Sequence, residues 1–177
     1  MKQRSTSANR GFSLIELIIV ITITAILTAL LAPQLLRYVE RSRIARDEQN
    51  IDEIYRAIML SLNDEEAYAA VLKYCESHPN GYWLHVRNST ETKVRGMVVQ
   101  GTTENKSTVS VLNEVYVAVR DTIQGTHIES QAVIFPHQYR FSSRKYIGLI
   151  SNSKPALTIV MTVVDGELLT RRIEVQE

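Results

Sequence analysis

An apolar run of 25 residues near the N-terminus constrains this chain more than any other feature of its sequence. The run extends from Phe12 to Leu36, and Glu16 is its only charged residue. About 20 apolar residues in a helix suffice to cross the ~30 Å hydrocarbon core of a bilayer. A carboxylate within such a span costs a few kcal/mol unless a partner offsets that cost. The sequence therefore predicts a membrane-spanning helix in which Glu16 has a functional partner.

The eleven residues before this run form a basic leader. They contain Lys2, Arg4 and Arg10 and no acidic residue. Because basic flanks tend to stay in the cytoplasm, we expect the N-terminus to lie inside and residues 37–177 to be exported. A secretory signal peptide would have a shorter apolar core and a small-x-small cleavage site, and Ala29 and Ala32 have the wrong spacing for one.

The junction between leader and apolar run resembles the class III signal of type IV pilins and pseudopilins. It reads Gly11-Phe12-Ser13-Leu14-Ile15-Glu16-Leu17, and Pro33 follows within the apolar segment. The resemblance covers roughly residues 10–43, and the rest of the chain offers no comparable match. It implies that a prepilin peptidase cuts between Gly11 and Phe12 and methylates the new amine of Phe12. It also implies polymerisation with itself and other pilins at an assembly platform in the inner membrane.

Cleavage would create the partner that Glu16 requires. The new amine of Phe12 is positively charged, and residues four apart lie on one helix face, so the two charges can meet within a subunit or between neighbours. The resemblance implies that Glu16 of an incoming subunit attracts the Phe12 amine of the subunit ahead of it. In a low dielectric that attraction offsets the burial of the carboxylate only when the pair forms. Glu16 is therefore predicted to matter for assembly, and much less for cleavage or folding.

Several other residues of the apolar segment bear on its helix. Pro33 matches the family pattern, and a proline is expected to kink or locally open a helix. Ala25 stands where many family members have glycine, and alanine favours helix by ~1 kcal/mol over glycine. Thr22, Thr24 and Thr28 are expected to bond back to carbonyls one turn earlier, with contacts between helices in a filament as the alternative.

The pattern predicts an α+β, pilin-like fold: a long N-terminal helix, transmembrane in its first half and amphipathic in its second, packed on an antiparallel sheet. Apolar residues recur at helical steps, which predicts one helix over residues 12 to about 62. Asn63 or Asp64 can cap a second helix that ends near Ser77, and Asp165-Gly166 fits a hairpin turn. Strands are predicted at residues 82–86, 93–100, 132–141, 146–150, 156–164 and 168–175. Residues 107–123 fit a helix or a strand, and we favour the helix.

The sequence shows little sign of chemistry. Without the leader the chain has 17 basic and 19 acidic residues, which gives no overall bias toward nucleic acid. The four histidines lack metal-ligand spacing, and the sequence has no Gly-rich phosphate loop or nucleophile elbow. We therefore expect no enzyme activity, no metal and no cofactor. Cys75 is the single cysteine, so it cannot form an intrachain disulfide and is expected to be a buried small hydrophobe.

One basic and aromatic cluster is a candidate binding surface. Arg140, Arg144 and Lys145 are interleaved with three aromatic residues, namely Tyr139, Phe141 and Tyr146. Such a pattern can bind single-stranded DNA or an anionic surface. Residues on a solvated sheet face produce the same pattern more often than a binding site does. We therefore expect the cluster to be part of such a face, and nucleic-acid binding is the less favoured alternative.

Three functions agree with these features. The leading hypothesis is a non-enzymatic structural subunit of a type IV pilus, with a removed leader (1–11), a transmembrane and filament-core segment (12–36) and an exported domain (37–177). It would lie in the membrane lipid of the cytoplasmic membrane before assembly and on the cell surface afterwards. A pseudopilin of a type II secretion system would have the same N-terminal signal, and the only weak argument against it is that no acidic calcium-binding cluster is visible. The third hypothesis is a minor pilin that binds DNA or a surface through the basic and aromatic cluster.

Overall fold

The computed structural model describes residues 12–88, 97–102, 109–129, 132–151 and 154–174. Within these ranges the chain has four α-helices, α1 (Leu14–Ser61), α2 (Glu65–Ser77), α3 (Val109–Thr122) and α4 (Arg144–Ser151). The six strands are β1 (Tyr82–Asn88), β2 (Met97–Thr102), β3 (His127–Glu129), β4 (Ala132–Ile134), β5 (Leu157–Val164) and β6 (Glu167–Glu174). The predicted α+β architecture, a long N-terminal helix with an antiparallel sheet, is confirmed.

The chain divides into two compact units, one ending at Val39 and one beginning at Glu40. Every described residue of the first unit is exposed. Its part of α1 is long and apolar enough, by length and composition, to cross a membrane. The helix begins and ends close to the predicted positions and continues through Pro33. Because Pro33 has no N–H, the carbonyl of Ala29 lacks its usual helical partner there.

The three threonines of the apolar segment bond to their own helix. The Oγ1 atoms of Thr22 and Thr28 each donate to the carbonyl four residues earlier, at 2.7 Å. Thr24 Oγ1 donates to the carbonyls of Val20 at 2.9 Å and Ile21 at 3.0 Å. The expected back-bonding is confirmed, and it satisfies the hydroxyl donors without a neighbouring helix.

The second unit is built around one antiparallel sheet. The strand order is β3-β4-β2-β1-β5-β6. β5 and β6 pair along their full length, from Leu157 with Glu174 to Val164 with Glu167. Asp165 and Gly166 join them with φ values of 53° and 83°, which is the backbone of a tight hairpin turn and confirms the predicted turn.

One face of the sheet carries the main core. Alternate residues of β1 point to this face, and Tyr82, Leu84 and Val86 are all fully buried. Ile54 and Ile58 of α1 belong to the same buried cluster, as do residues of α2 and α3. The part of α1 after Glu40 is therefore amphipathic as predicted, with one stripe in the core and charged residues elsewhere.

The capped second helix and the favoured helix near residues 107–123 are confirmed. Asp64 precedes α2 and its carboxylate accepts the N–H groups of Glu66 and Ala67, both at 3.0 Å. In α3, Val115, Tyr116 and Val119 are buried, a spacing that fits one helix face.

Two strand predictions are wrong. Residues 146–150 lie within α4, not in a strand. The strand predicted over 132–141 ends at Ile134, because Pro136 has no N–H to continue the ladder and a 3₁₀ turn follows at His137–Tyr139. The strand predicted over 93–100 appears as β2, which begins at Met97, and residues 93–96 lie outside the described residues. The short strand β3 was not predicted.

Candidate functional site

The predicted cleavage junction lies at the start of the described chain. Gly11 is outside the described residues, and Phe12 is 89% exposed. Ser13 follows and precedes α1, and the carbonyl of Ser13 accepts the N–H of Leu17 at 3.2 Å. Phe12 is therefore outside the helix, and Ser13 is its N-terminal cap residue.

Glu16 has a local hydrogen bond that the sequence reasoning missed. Its Oε2 atom accepts the backbone N–H of Ser13 at 2.9 Å. A glutamate three residues after a serine cap, reaching back to the cap N–H, is one half of a capping box. The Ser-x-x-Glu spacing at Ser13 and Glu16 was the signal that could have found it. This bond satisfies one orphan donor of the helix, and a cut between Gly11 and Phe12 would leave both residues in the chain.

The capping bond does not pair the Glu16 carboxylate with a cation. Among residues 12–88 and the other described ranges, no cation lies within ion-pair distance of Glu16. The backbone N–H supplies a partial positive charge, and the start of a helix favours an anion by about 0.3–1 kcal/mol. Glu16 therefore has a weak local partner, and the described residues provide no stronger one.

The structure separates the members of the basic and aromatic cluster. Tyr139, Phe141 and Tyr146 are buried, with exposed fractions of 8%, 2% and 8%. Phe141 and Tyr146 stack on each other with ring centroids 5.2 Å apart. Because bases stack only on exposed ring faces, these aromatic side chains belong to the core and cannot serve as a stacking platform.

The three basic side chains of the cluster lie in different surroundings. Arg140 follows the 3₁₀ turn and Arg144 begins α4, and both are exposed. Lys145 is partly buried, lies 3.8 Å from Glu48 Oε1 and sits 5.4 Å from the ring centroid of Tyr146. One of the three charges is therefore compensated within the subunit.

We expect the basic side chains to contribute little to DNA binding. In gel shifts of the full chain in detergent with single-stranded DNA, replacing Arg140, Arg144 and Lys145 by glutamine should leave the mobility pattern unchanged, because no stacking surface accompanies them. Arg171→Gln, a change on an exposed strand residue, is the matched control. DNA retarded by the unmodified chain and by the control, but not by the triple variant, would contradict this expectation.

A buried carboxylate of α1 holds the segment that contains this cluster. Asp47 is fully buried and accepts the backbone N–H groups of Ser142, at 3.1 Å, and Ser143, at 2.8 Å. The hydroxyls of the same two serines donate to it at 3.1 and 2.6 Å. Glu40 accepts the N–H of Arg144 at 2.6 Å. These bonds satisfy donors at the start of α4 and fix that helix to α1.

The Asp47 site was not predicted from the sequence. Asp47 lies on the apolar stripe of α1, three residues after Ile44 and four before Ile51. A carboxylate on a stripe that otherwise faces the core requires hydrogen-bond donors from elsewhere in the chain. That position was a usable signal for the existence of the site, but the donors are 95 and 96 residues away.

No metal site appears in the part of the chain that the structure describes. Among those residues no three His, Cys, Asp or Glu side chains are placed to hold a metal ion. Cys75 is buried and its thiol donates to the carbonyl of Met161 at 3.3 Å. Burial raises the pKa of this thiol, which keeps it protonated and unreactive.

Residues 6–32 match the family model described as the prokaryotic N-terminal methylation motif. This match confirms the resemblance found at the cleavage junction, which lies within the matched residues. The chain is also 33% identical over 66 residues to the type IV major pilin protein PilA of Myxococcus xanthus (strain DK1622). That match covers 37% of this chain and 30% of the relative's length. No solved structure gave a significant match.

Proposed function

We propose that this chain is a structural subunit of a type IV pilus. It is cut between Gly11 and Phe12, methylated at the Phe12 amine and polymerised through the apolar part of α1. The observation that supports this most is the match of residues 6–32 to the methylation motif, on a chain in which the apolar part of α1, residues 14–39, is exposed throughout. Its role is non-enzymatic, and its partners are further copies, other pilins, the prepilin peptidase and an inner-membrane assembly platform.

The exposed apolar surface of α1 supports both proposed locations, namely the membrane before assembly and the filament afterwards. Leu14, Leu17 and Ile21 have exposed fractions of 77%, 57% and 55%, and their neighbours are similar. An extended, predominantly apolar exposed surface of this kind marks contact with a membrane or with other protein. A helix satisfies its own backbone groups and can lie in lipid as a single span before assembly. In the filament, copies of the same helix would cover the surface instead.

The likeness to a type IV major pilin favours a pilus over a secretion pseudopilin. That protein is a type IV major pilin, and its likeness extends over 66 residues. A pseudopilin shares the cleavage signal, so the signal itself does not distinguish the two. The minor-pilin alternative depended on the basic and aromatic cluster, whose aromatic side chains are buried.

We expect fibres sheared from the producing cells to contain this protein as their main component, with Phe12 at its N-terminus and one methyl group on its amine. Intact-mass and N-terminal peptide spectrometry of the sheared fraction measure both. The membrane fraction of a strain lacking the prepilin peptidase is the control and should retain residues 1–11. A mature N-terminus other than Phe12 would contradict the proposal. Trace amounts in the fibres would indicate a minor pilin, and none would indicate a pseudopilin.

A further inference from the structure

A charged pocket of about 300 Å³ lies in the second unit, between α1, α4 and β6. Glu48 and Asp52 reach it from α1, Lys145 from α4, and Arg172 and Glu174 from β6. Ile51 forms part of its apolar lining. The pocket therefore presents three carboxylates and two cations over an apolar base.

The two cations are already paired inside the subunit. Arg172 binds Asp52 at 2.7 Å and Glu174 at 2.6 Å, and its guanidinium lies 5.0 Å from the ring centroid of Tyr55. Lys145 pairs with Glu48 at 3.8 Å. The side chains of Glu48, Asp52 and Glu174 are 52%, 49% and 64% exposed, whereas those of Lys145 and Arg172 are 32% and 30% exposed. The three carboxylates and two cations leave the rim with one net negative charge, so it favours binding of a further cationic side chain.

α1 itself contains such a cationic side chain. Arg41 is exposed and has no ion-pair partner in the described ranges. It lies seven residues, about two turns, before Glu48, so the two residues share one helix face. At 1.5 Å per residue they are about 10 Å apart along the axis, which is too far for a pair within one chain. A parallel second copy shifted by that amount would place its Arg41 at the pocket rim.

We infer that the acidic rim of this pocket receives Arg41 from a second copy of the chain. This rests on the proposed filament and assigns one of its contacts. The planar guanidinium fits carboxylates in a two-pronged geometry. Because the two contact surfaces differ, the contact is head-to-tail, and repeating it builds an open filament instead of closing a dimer. Exposed charges of this kind fix register and partner choice more than they add affinity.

Chemical cross-linking of filaments tests the contact. Arg41→Cys and Glu48→Cys are introduced together into the full chain, and sheared filaments are treated with a short bifunctional maleimide. We expect a ladder of covalent dimers, trimers and higher species on denaturing gels, at least about tenfold more intense than in either single variant. Native Cys75 is buried, so the unmodified chain should give monomer only. The Arg41→Cys, Glu53→Cys chain is the matched control, because Glu53 is exposed on a different face of α1.

Filaments of the double variant that remain monomeric after treatment would overturn the inference while leaving the proposed function intact. Dimers formed by Arg41→Cys alone would overturn it as well, because they require a two-fold contact. If the unmodified chain forms no filaments, the proposed function and this contact fall together.

If the cysteine variants assemble poorly, exchanging the two charges tests the same contact between copies. Arg41→Glu and Glu48→Arg should each lower the filament yield about tenfold. Combined in one chain they should restore it to within about twofold of the unmodified yield, since the pair between copies is re-formed with reversed signs. A combined variant that assembles as poorly as the single ones would overturn the inference.

Discussion

Replacing Glu16 by alanine is expected to leave the cut after Gly11 intact and to lower incorporation into filaments at least about tenfold, a change of 1.4 kcal/mol or more. In the proposed filament the carboxylate meets the Phe12 amine of a neighbouring copy. Without the Glu16 carboxylate, the positively charged Phe12 amine would be buried among apolar side chains without a partner, which is costly in a low dielectric. Quantitative peptide spectrometry of the membrane and sheared fractions measures both effects, because the N-terminal peptide reports cleavage and the ratio between fractions reports assembly.

The capping bond makes Glu16→Gln the decisive control. Glutamine is accepted at the same position of a capping box, so it can keep the bond to the Ser13 N–H while removing the charge. If charge pairing drives assembly, Glu16→Gln should assemble as poorly as Glu16→Ala. If the capping bond alone mattered, worth about 1 kcal/mol, glutamine would assemble normally. Normal incorporation of the glutamine variant would therefore refute the ion-pair account.

Replacing Asp47 by alanine is expected to lower the free energy of unfolding of the second unit by about 3–5 kcal/mol. The change leaves two backbone N–H groups and two hydroxyls at the start of α4 without their acceptor. Each buried donor that loses its partner costs about 1–3 kcal/mol, and partial rearrangement recovers some of the sum. In a chain of this size that corresponds to a fall of about 10 °C in Tm.

Thermal unfolding of the full chain in detergent, followed by near-ultraviolet circular dichroism, measures this loss. Glu76→Ala is the matched control, because Glu76 is an exposed acid on a helix and its removal should change stability by less than about 0.5 kcal/mol. A Tm for Asp47→Ala within about 2 °C of the control would mean that α4 is held by its apolar contacts instead.

The long helix, apolar in its first part and amphipathic in its second, could be predicted because the signals for it are local and agree with one another. The apolar run, the switch to an amphipathic pattern and the cap at Asp64 each act within a few residues. The hairpin at Asp165-Gly166 is equally local. The resemblance at Gly11 and Phe12 also depended on a short contiguous motif, which the comparison with known families then matched.

α4 could not be predicted, because the interactions that favour it come from distant parts of the chain. Its sequence has a short run of apolar residues like that of a buried strand, and it contains Gly148, which weakens a helix by about 1 kcal/mol. The bonds that favour the helix are those from Asp47 and Glu40, about a hundred positions earlier. The same distance explains why the basic and aromatic cluster seemed exposed. Which rings are buried depends on how the segment is fixed to α1.

The back-bonded threonines have a consequence for how a filament would hold its register. Since Thr22, Thr24 and Thr28 donate within their own helix, the middle of the apolar segment offers neighbours a surface without directional bonds. Apolar burial is non-directional, so it fixes the alignment along the axis less strictly than hydrogen bonds or charge pairs do. Packed copies would then be able to shift along the filament axis unless charge pairs hold them in place. Glu16 and the Arg41–Glu48 contact lie at the two ends of this segment and would fix its alignment. A filament built this way would stretch under load by small axial shifts and return when the load is removed.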